Sequence, residues 1–218
     1  MIKDIIIAID GHSGCGKSTT SRLLAKNLNF KYLDSGAMYR AVTLYFINKR
    51  VSQNDTKKIK DELNNIIIDF KYVEDNQHIF LNDQDVENEI RSDEISNQVS
   101  LFSSNSSIRK FLVNKQKTFG INKNIVVEGR DITTVVFPDA EIKVFMTADI
   151  QVRAKRRFNE MKSKNPDITY SDVIKNLEDR DIQDSTRKDS PLMVADDAFI
   201  LDTSDPVSYT HLTLPTTS

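Results

Sequence analysis

The chain has 218 residues, with 30 Lys and Arg against 32 Asp and Glu. That is enough for one domain with insertions, and the net charge of -2 gives no overall basic field for nucleic acid. No apolar run approaches membrane-spanning length, residues 1–10 lack the basic-then-apolar layout of a signal peptide, and the lone Cys15 excludes an internal disulfide. A cytoplasmic protein is expected, with no nucleic-acid or membrane partner.

Asp4 to Asp10 is apolar and β-rich, which predicts a strand buried on both faces. Gly11-His12-Ser13-Gly14-Cys15-Gly16-Lys17-Ser18 follows, the pattern G-x-x-x-x-G-K-[ST]. Thr19 to Leu28 then carries Leu23, Leu24 and Leu28 at helical spacing. Strand, glycine loop and helix together predict a phosphate-binding P-loop, with Gly11 to Thr19 as the ATP contact. Glycines let backbone N–H groups close on phosphate oxygens, Lys17 reaches the β- and γ-phosphates, and the Ser18 hydroxyl ligates Mg²⁺. His12 and Cys15 occupy variable positions and read as fillers.

Tyr32-Leu33 predicts a second strand, and Asp34 or Ser35 can cap a helix over about 36–48. Arg40 lies in the first turns of that helix. By position it reads equally as a ligand group at a strand's carboxyl end or as a solvated arginine. Residues 53–65 predict a polar helix, and 66–73, 78–81 and 85–86 an antiparallel meander. Antiparallel strands inside a βαβ pattern indicate an inserted subdomain. His78 reads as a surface residue. Helices follow over 90–97 and 107–120, with Ser100 and Arg109 near them and unmarked by any local signal.

A buried strand at 125–128 delivers Glu128-Gly129-Arg130-Asp131 at its carboxyl end. An acid there belongs near Mg²⁺, with Glu128 first and Asp10 second; Asp131 reads alternatively as a cap. A further strand is predicted at 142–146. Residues 149–162 form a basic helix with Arg153, Arg156 and Arg157 on one face, Pro166 breaks it, and a second helix runs from Tyr170 to about Gln183. Arg180, Asp184 and Arg187 share a face if that helix continues. The two helices suit a lid that closes on phosphates. The last strand is predicted at 197–202.

Residues 4 to about 206 resemble the bacterial cytidylate kinases of the nucleoside monophosphate kinase group. The matching pieces are Ile9 to Ser18, Leu33-Asp-Ser-Gly-Ala-Met-Tyr-Arg40, Gly129-Arg-Asp131, Thr134 to Ala140, Arg180-Asp181, and Asp184-Ser-Thr-Arg187 to Leu192. The resemblance implies an α/β fold, a P-loop kinase core with a parallel sheet flanked by helices. The core would occupy about 1–35, 121–150 and 191–206. The monophosphate-binding region would span about 36–120, with its small antiparallel insert at about 53–100, and the helical lid about 151–190.

The resemblance also implies roles. Arg40, Arg130 and Arg187 would hold the phosphate of CMP or dCMP. Ser35, Ser100, Arg109 and Asp131 would surround the cytosine. Arg180 and Asp184 would meet the sugar, and Arg153 and Arg157 would belong to the ATP-side lid. Lys17, Arg130, Arg180 and Arg187 would stabilise the transferring γ-phosphoryl, with ATP as donor and Mg²⁺ as cofactor, in a monomer. Two departures stand out: His12 replaces a usual proline and Glu128 a usual shorter acid. Residues 207–218 resemble a translated transposon-end adapter and are expected to be a non-native tail in place of a final helix. Other readings are a kinase for another small molecule, a switch or motor ATPase, or a non-catalytic nucleotide-binding regulator.

Overall fold

The computed structural model describes residues 4–74, 76–162 and 166–205. The expected tail and the tip of the basic hairpin at 163–165 lie outside them. Five parallel strands form the main sheet: β1 (Ile6–Gly11), β2 (Lys31–Asp34), β6 (Ile125–Gly129), β7 (Ile142–Thr147) and β8 (Phe199–Asp202). Their order is β2-β6-β1-β7-β8. A short antiparallel sheet is built from β3 (Ile68–Val73), β4 (Asn76–Leu81) and β5 (Gln84–Asp85). The α/β class, the parallel core and the inserted antiparallel sheet are therefore as expected.

Strand β1 shows why the core is sandwiched. Every one of its residues is buried. Side chains alternate across a strand, so Ile6 and Ala8 join the large core on one face while Ile7 and Ile9 join the smaller core on the other. Helix α1 (Lys17–Leu28) covers the second face. The first face is covered by α2 (Ser35–Asn48), α4 (Asp93–Ser103) and α5 (Ser106–Phe119), where Phe46 stacks on Phe102 at 5.7 Å between ring centroids. Asp34 caps α2 by accepting from Ala37 N at 2.9 Å.

The inserted region docks on edge strand β2, where Gln77 Nε2 donates to the Tyr32 carbonyl at 2.9 Å. Edge strands carry unpaired backbone groups, and this contact takes one of them. His78 lies on this small sheet, with Nδ1 2.7 Å from Asp85 Oδ2. The helical hairpin is α6 (Ile150–Lys162) and α7 (Tyr170–Thr186), with its own small core of Ala154, Val173 and Leu177.

Some boundaries move. The polar helix α3 (Thr56–Leu63) starts three residues after the expected Gln53, because Asp55 caps it by accepting from Lys58 N at 3.0 Å. The helix expected at 90–97 is instead a 3₁₀ turn, Glu89–Arg91, followed by α4, which Ser92 caps. Helix α7 continues to Thr186, carrying Asp184 with it and leaving Arg187 as its C-cap. Residues Ile132–Val136 form a π turn that no periodicity signals. Among the described residues, no helix is long and apolar enough to cross a membrane.

Candidate active site

Because β1 lies between β6 and β7, the connections around it leave in opposite directions. A crevice opens at that point, beyond the strands' carboxyl ends. The cleft measures about 950 Å³. The glycine loop lines one part of it, and side chains from α2, α4, α5, the end of β6 and the hairpin line the rest.

The loop's shape follows from close backbone packing. A Cβ at Gly11 would lie 2.0 Å from the Met146 carbonyl oxygen, so only glycine lets the loop leave β1 beside β7. Gly16, at φ 92°, turns the chain into α1. Lys17 is buried, and its ammonium donates to the His12 carbonyl at 2.7 Å. Burial lowers its pKa, and the nearby Arg130 lowers it further. Cys15 is buried, and its carbonyl accepts the Thr203 hydroxyl at 2.8 Å.

Two acids stand at the strand ends. Ser18 Oγ donates to Glu128 Oε2 at 3.1 Å, and the Tyr32 hydroxyl donates to Glu128 Oε1. Burial raises the Glu128 pKa, as does the nearby Asp34, while Lys17 opposes the rise. Asp10 is engaged elsewhere. It accepts from Ile132 N at 2.9 Å, Thr133 N at 2.7 Å and Thr133 Oγ1 at 2.6 Å. A hydroxyl beside a carboxylate at the foot of the loop is a hard oxygen donor pair that fits Mg²⁺; of the two acids, only Glu128 is so placed.

Behind the loop, His12 Nδ1 lies 3.2 Å from Asp181 Oδ1, and its ring meets Phe145 edge-on. Arg153 is also there, buried. Its guanidinium donates to the Ala148 carbonyl at 3.0 Å, the Ser13 carbonyl at 3.4 Å and Asp181 at 2.7 Å. Gly11, His12 and Arg153 are thus set back from the cleft, whereas Ser13 to Thr19 and Arg157 line it. Arg157 pairs with Glu160 at 3.2 Å.

Ser35, Arg40, Ser100, Arg109, Arg130, Asp131, Arg180, Asp184 and Arg187 all line the same cleft, drawn from five separate stretches of chain. Ser35 Oγ donates to the Glu128 carbonyl at 2.6 Å. Arg109 pairs with Asp131 and also donates to the Ser103 carbonyl at 3.1 Å. Asp131 makes no capping bond on the turn that follows it. Asp184 stands between Arg130 at 2.9 Å and Arg187 at 3.3 Å. Burial pushes its pKa up, but Arg130, Arg187 and Arg180 outweigh that and hold it below the usual carboxylate range. Arg180 is lowered to about 10, first by burial and then by Arg130.

Among the described residues, four buried guanidinium nitrogens are left without a partner: Arg40 Nε, Arg109 Nε, Arg180 Nε and Arg187 Nη2. Buried donors left unpaired are costly, so a group of them around one cleft marks a place for an anion. Arg91, Asp34, Tyr39 and Arg156 line the cleft as well and were not singled out from sequence. Asp34 reads as a cap, and Arg91 follows one buried isoleucine with no pattern around it. Only Arg156 had a signal, its place on the basic face of the first hairpin helix.

The cytidylate kinase family model matches residues 7–210. A cytidylate kinase of Fusobacterium nucleatum subsp. nucleatum is 46% identical over 202 residues, covering 93% of this chain and 91% of the relative. One of Phocaeicola vulgatus is 47% identical over 208 residues, at 93% and 91% coverage. One of Bacteroides fragilis is 44% identical over 218 residues, at 98% and 93% coverage.

Proposed function

Because the chain belongs to the cytidylate kinase family, ATP-dependent kinases that phosphorylate CMP and dCMP, we propose that its cleft holds two nucleotides with their phosphates facing each other. The donor lies on the glycine loop, Ser13 to Thr19, with Arg157 above it. The acceptor lies among Arg40, Arg109, Arg130, Arg180 and Arg187. The observation that carries this reading is the set of unpartnered guanidinium nitrogens at the cleft. Four donors wait there, in the same cleft as a P-loop lysine, for an anion that the protein does not supply.

The chemistry asked of these residues is modest. An acceptor phosphate oxygen is already anionic, so no strong base is required. It attacks the γ-phosphorus of ATP, the bond from that phosphorus to the β,γ-bridging oxygen breaks, and ADP leaves. Lys17, Arg130, Arg180 and Arg187 offset the charge of two polyanions brought together. Ser18 and Glu128 would hold Mg²⁺, which when bound neutralises charge on the donor phosphates. Arg153 and His12 back the loop from behind, an arrangement that supports a bracing role rather than contact with nucleotide.

The base is read by a donor and an acceptor set side by side. Cytosine offers an amino donor, which Asp131 accepts, and its ring nitrogen and carbonyl accept from Arg109. Uracil lacks that amino group and would leave Asp131 facing an oxygen, which a buried site rejects. Ser35 and Ser100 border the base, and Asp184, held ionised by three arginines, accepts from the sugar hydroxyls. The regions divide the labour: a core of about 1–35, 121–150 and 191–206, a monophosphate-binding region of about 36–120, and a lid of about 151–190. The enzyme would work as a cytoplasmic monomer on small nucleotides, without nucleic-acid or membrane partners.

The test is ADP formation from ATP and Mg²⁺ with CMP, dCMP, UMP, AMP and no acceptor in parallel. Activity with CMP and dCMP well above the rest is expected. Equal turnover with UMP would remove the Asp131–Arg109 reading, and turnover without acceptor would replace the kinase site by a hydrolytic one.

A further inference from the structure

Asp34 has two positively charged neighbours and pairs with only one. It is buried at the end of β2, where Oδ1 caps α2 and Oδ2 meets Arg91 Nη2 at 3.2 Å. Arg91 is itself clasped by Glu87, at 3.2 Å from Nε and 3.0 Å from Nη2. It sits on the 3₁₀ turn that closes the inserted region, so the pair joins insert to core. The second neighbour is Arg40. A Cβ placed on Gly36 would lie 3.1 Å from Asp34 Oδ1 and 3.4 Å from Arg40 Nη1. Carboxylate and guanidinium therefore face the same small space, which Gly36 leaves open. Yet Arg40 forms no ion pair among the described residues, and its Nε stays unpartnered.

A buried carboxylate this near a buried guanidinium gains by pairing with it, unless another cation holds it. Burial would push the Asp34 carboxyl up, but Arg91 first and Arg40 second keep it below the usual carboxylate range, so it stays charged and available to either. We propose that Arg91 is a positioning residue that holds Asp34 away from Arg40, so that Arg40 meets the acceptor phosphate unpaired. The inference rests on the reading of Arg40 as a phosphate ligand. It gives the inserted region a second task, which is to keep a competing anion out of the acceptor site.

The experiment is steady-state kinetics of the full chain carrying R91A, R91A/D34N and, as control, R40A, with CMP and ATP each varied. R91A should raise the KM for CMP by about tenfold, the scale of one charge-assisted contact, with kcat and the KM for ATP changed by less than about threefold. R91A/D34N should return the CMP KM to within about threefold of the parent, because asparagine still caps α2 but no longer attracts Arg40. A merely structural Arg91 predicts the reverse: the double variant is at least as impaired as R91A. An unchanged CMP KM in R91A, or no recovery in the double variant while R40A raises the CMP KM, overturns the inference alone. An unchanged CMP KM in R40A overturns the acceptor-site reading beneath it. If R91A fails to fold, R91Q with and without D34N reads the same recovery.

Discussion

The two halves of the cleft, proposed for donor and for acceptor, are made of different material. The donor half is mostly backbone, the consecutive residues Ser13 to Thr19, where the chain passes from β1 beside β7 into α1. The acceptor half is mostly side chains, brought from α2, α4, α5, the end of β6 and the hairpin. A backbone site is specified locally, fails by steric conflict and takes the fold with it. A side-chain site is assembled at a distance and can lose a member while the fold stands.

That contrast can be tested from the strongest effect downward. Lys17→Ala, which removes the cation of the glycine loop, should cut kcat by about 10²-fold or more, measured as ADP release at saturating nucleotides. Arg187→Ala should do the same from the other half, with thermal melting within a few degrees of the parent. Near-normal turnover in either variant removes that residue from the machinery. Gly11→Ala should destabilise the chain by about 2 kcal/mol or more, because the Met146 carbonyl occupies the new methyl's place. A Gly11→Ala protein that melts like the parent would show that backbone crowding does not hold the donor loop.

Asp131→Ala should lower the preference for CMP over UMP by about tenfold in kcat/KM and also melt several degrees below the parent, because it leaves the buried Arg109 unpaired. The smallest effect concerns acid. Asp184 has a folded pKa below its unfolded value, so the stability it contributes is present above about pH 4 and is lost as pH falls through the folded value. Asp184→Asn should therefore melt a few degrees below the parent at pH 7, and the gap should narrow as the pH falls below about 4. A gap that widens on acidification would contradict the pairing with Arg130 and Arg187.

The same contrast explains what was legible in the sequence. The donor loop is contiguous, and its glycines, lysine and serine announce themselves through chemistry that needs that spacing. The β1 strand and the α1 helix are equally plain, because burial on two faces writes an unbroken apolar run and a helix face writes regular spacing. The acceptor residues carry no such mark: Arg109 and Ser100 became candidates only through resemblance to relatives. Asp10 and Glu128 both end buried strands, and only three dimensions separate them, since the π turn at Ile132–Val136 claims Asp10. Arg153 illustrates the converse. A basic helix face suggests phosphate, but Asp181 and two carbonyls have taken its donors. Pairing between distant residues has no periodicity, so it stayed invisible.

The Asp10 carboxylate also governs alignment. It ends the strand that launches the glycine loop, and it grips the turn that follows Arg130 and Asp131. One residue thus indexes the donor's cradle and the acceptor's phosphate clamp to a common origin. Drift of the sheet carries loop and turn together, so their relative placement is set by one carboxylate inside the core and not by the hairpin.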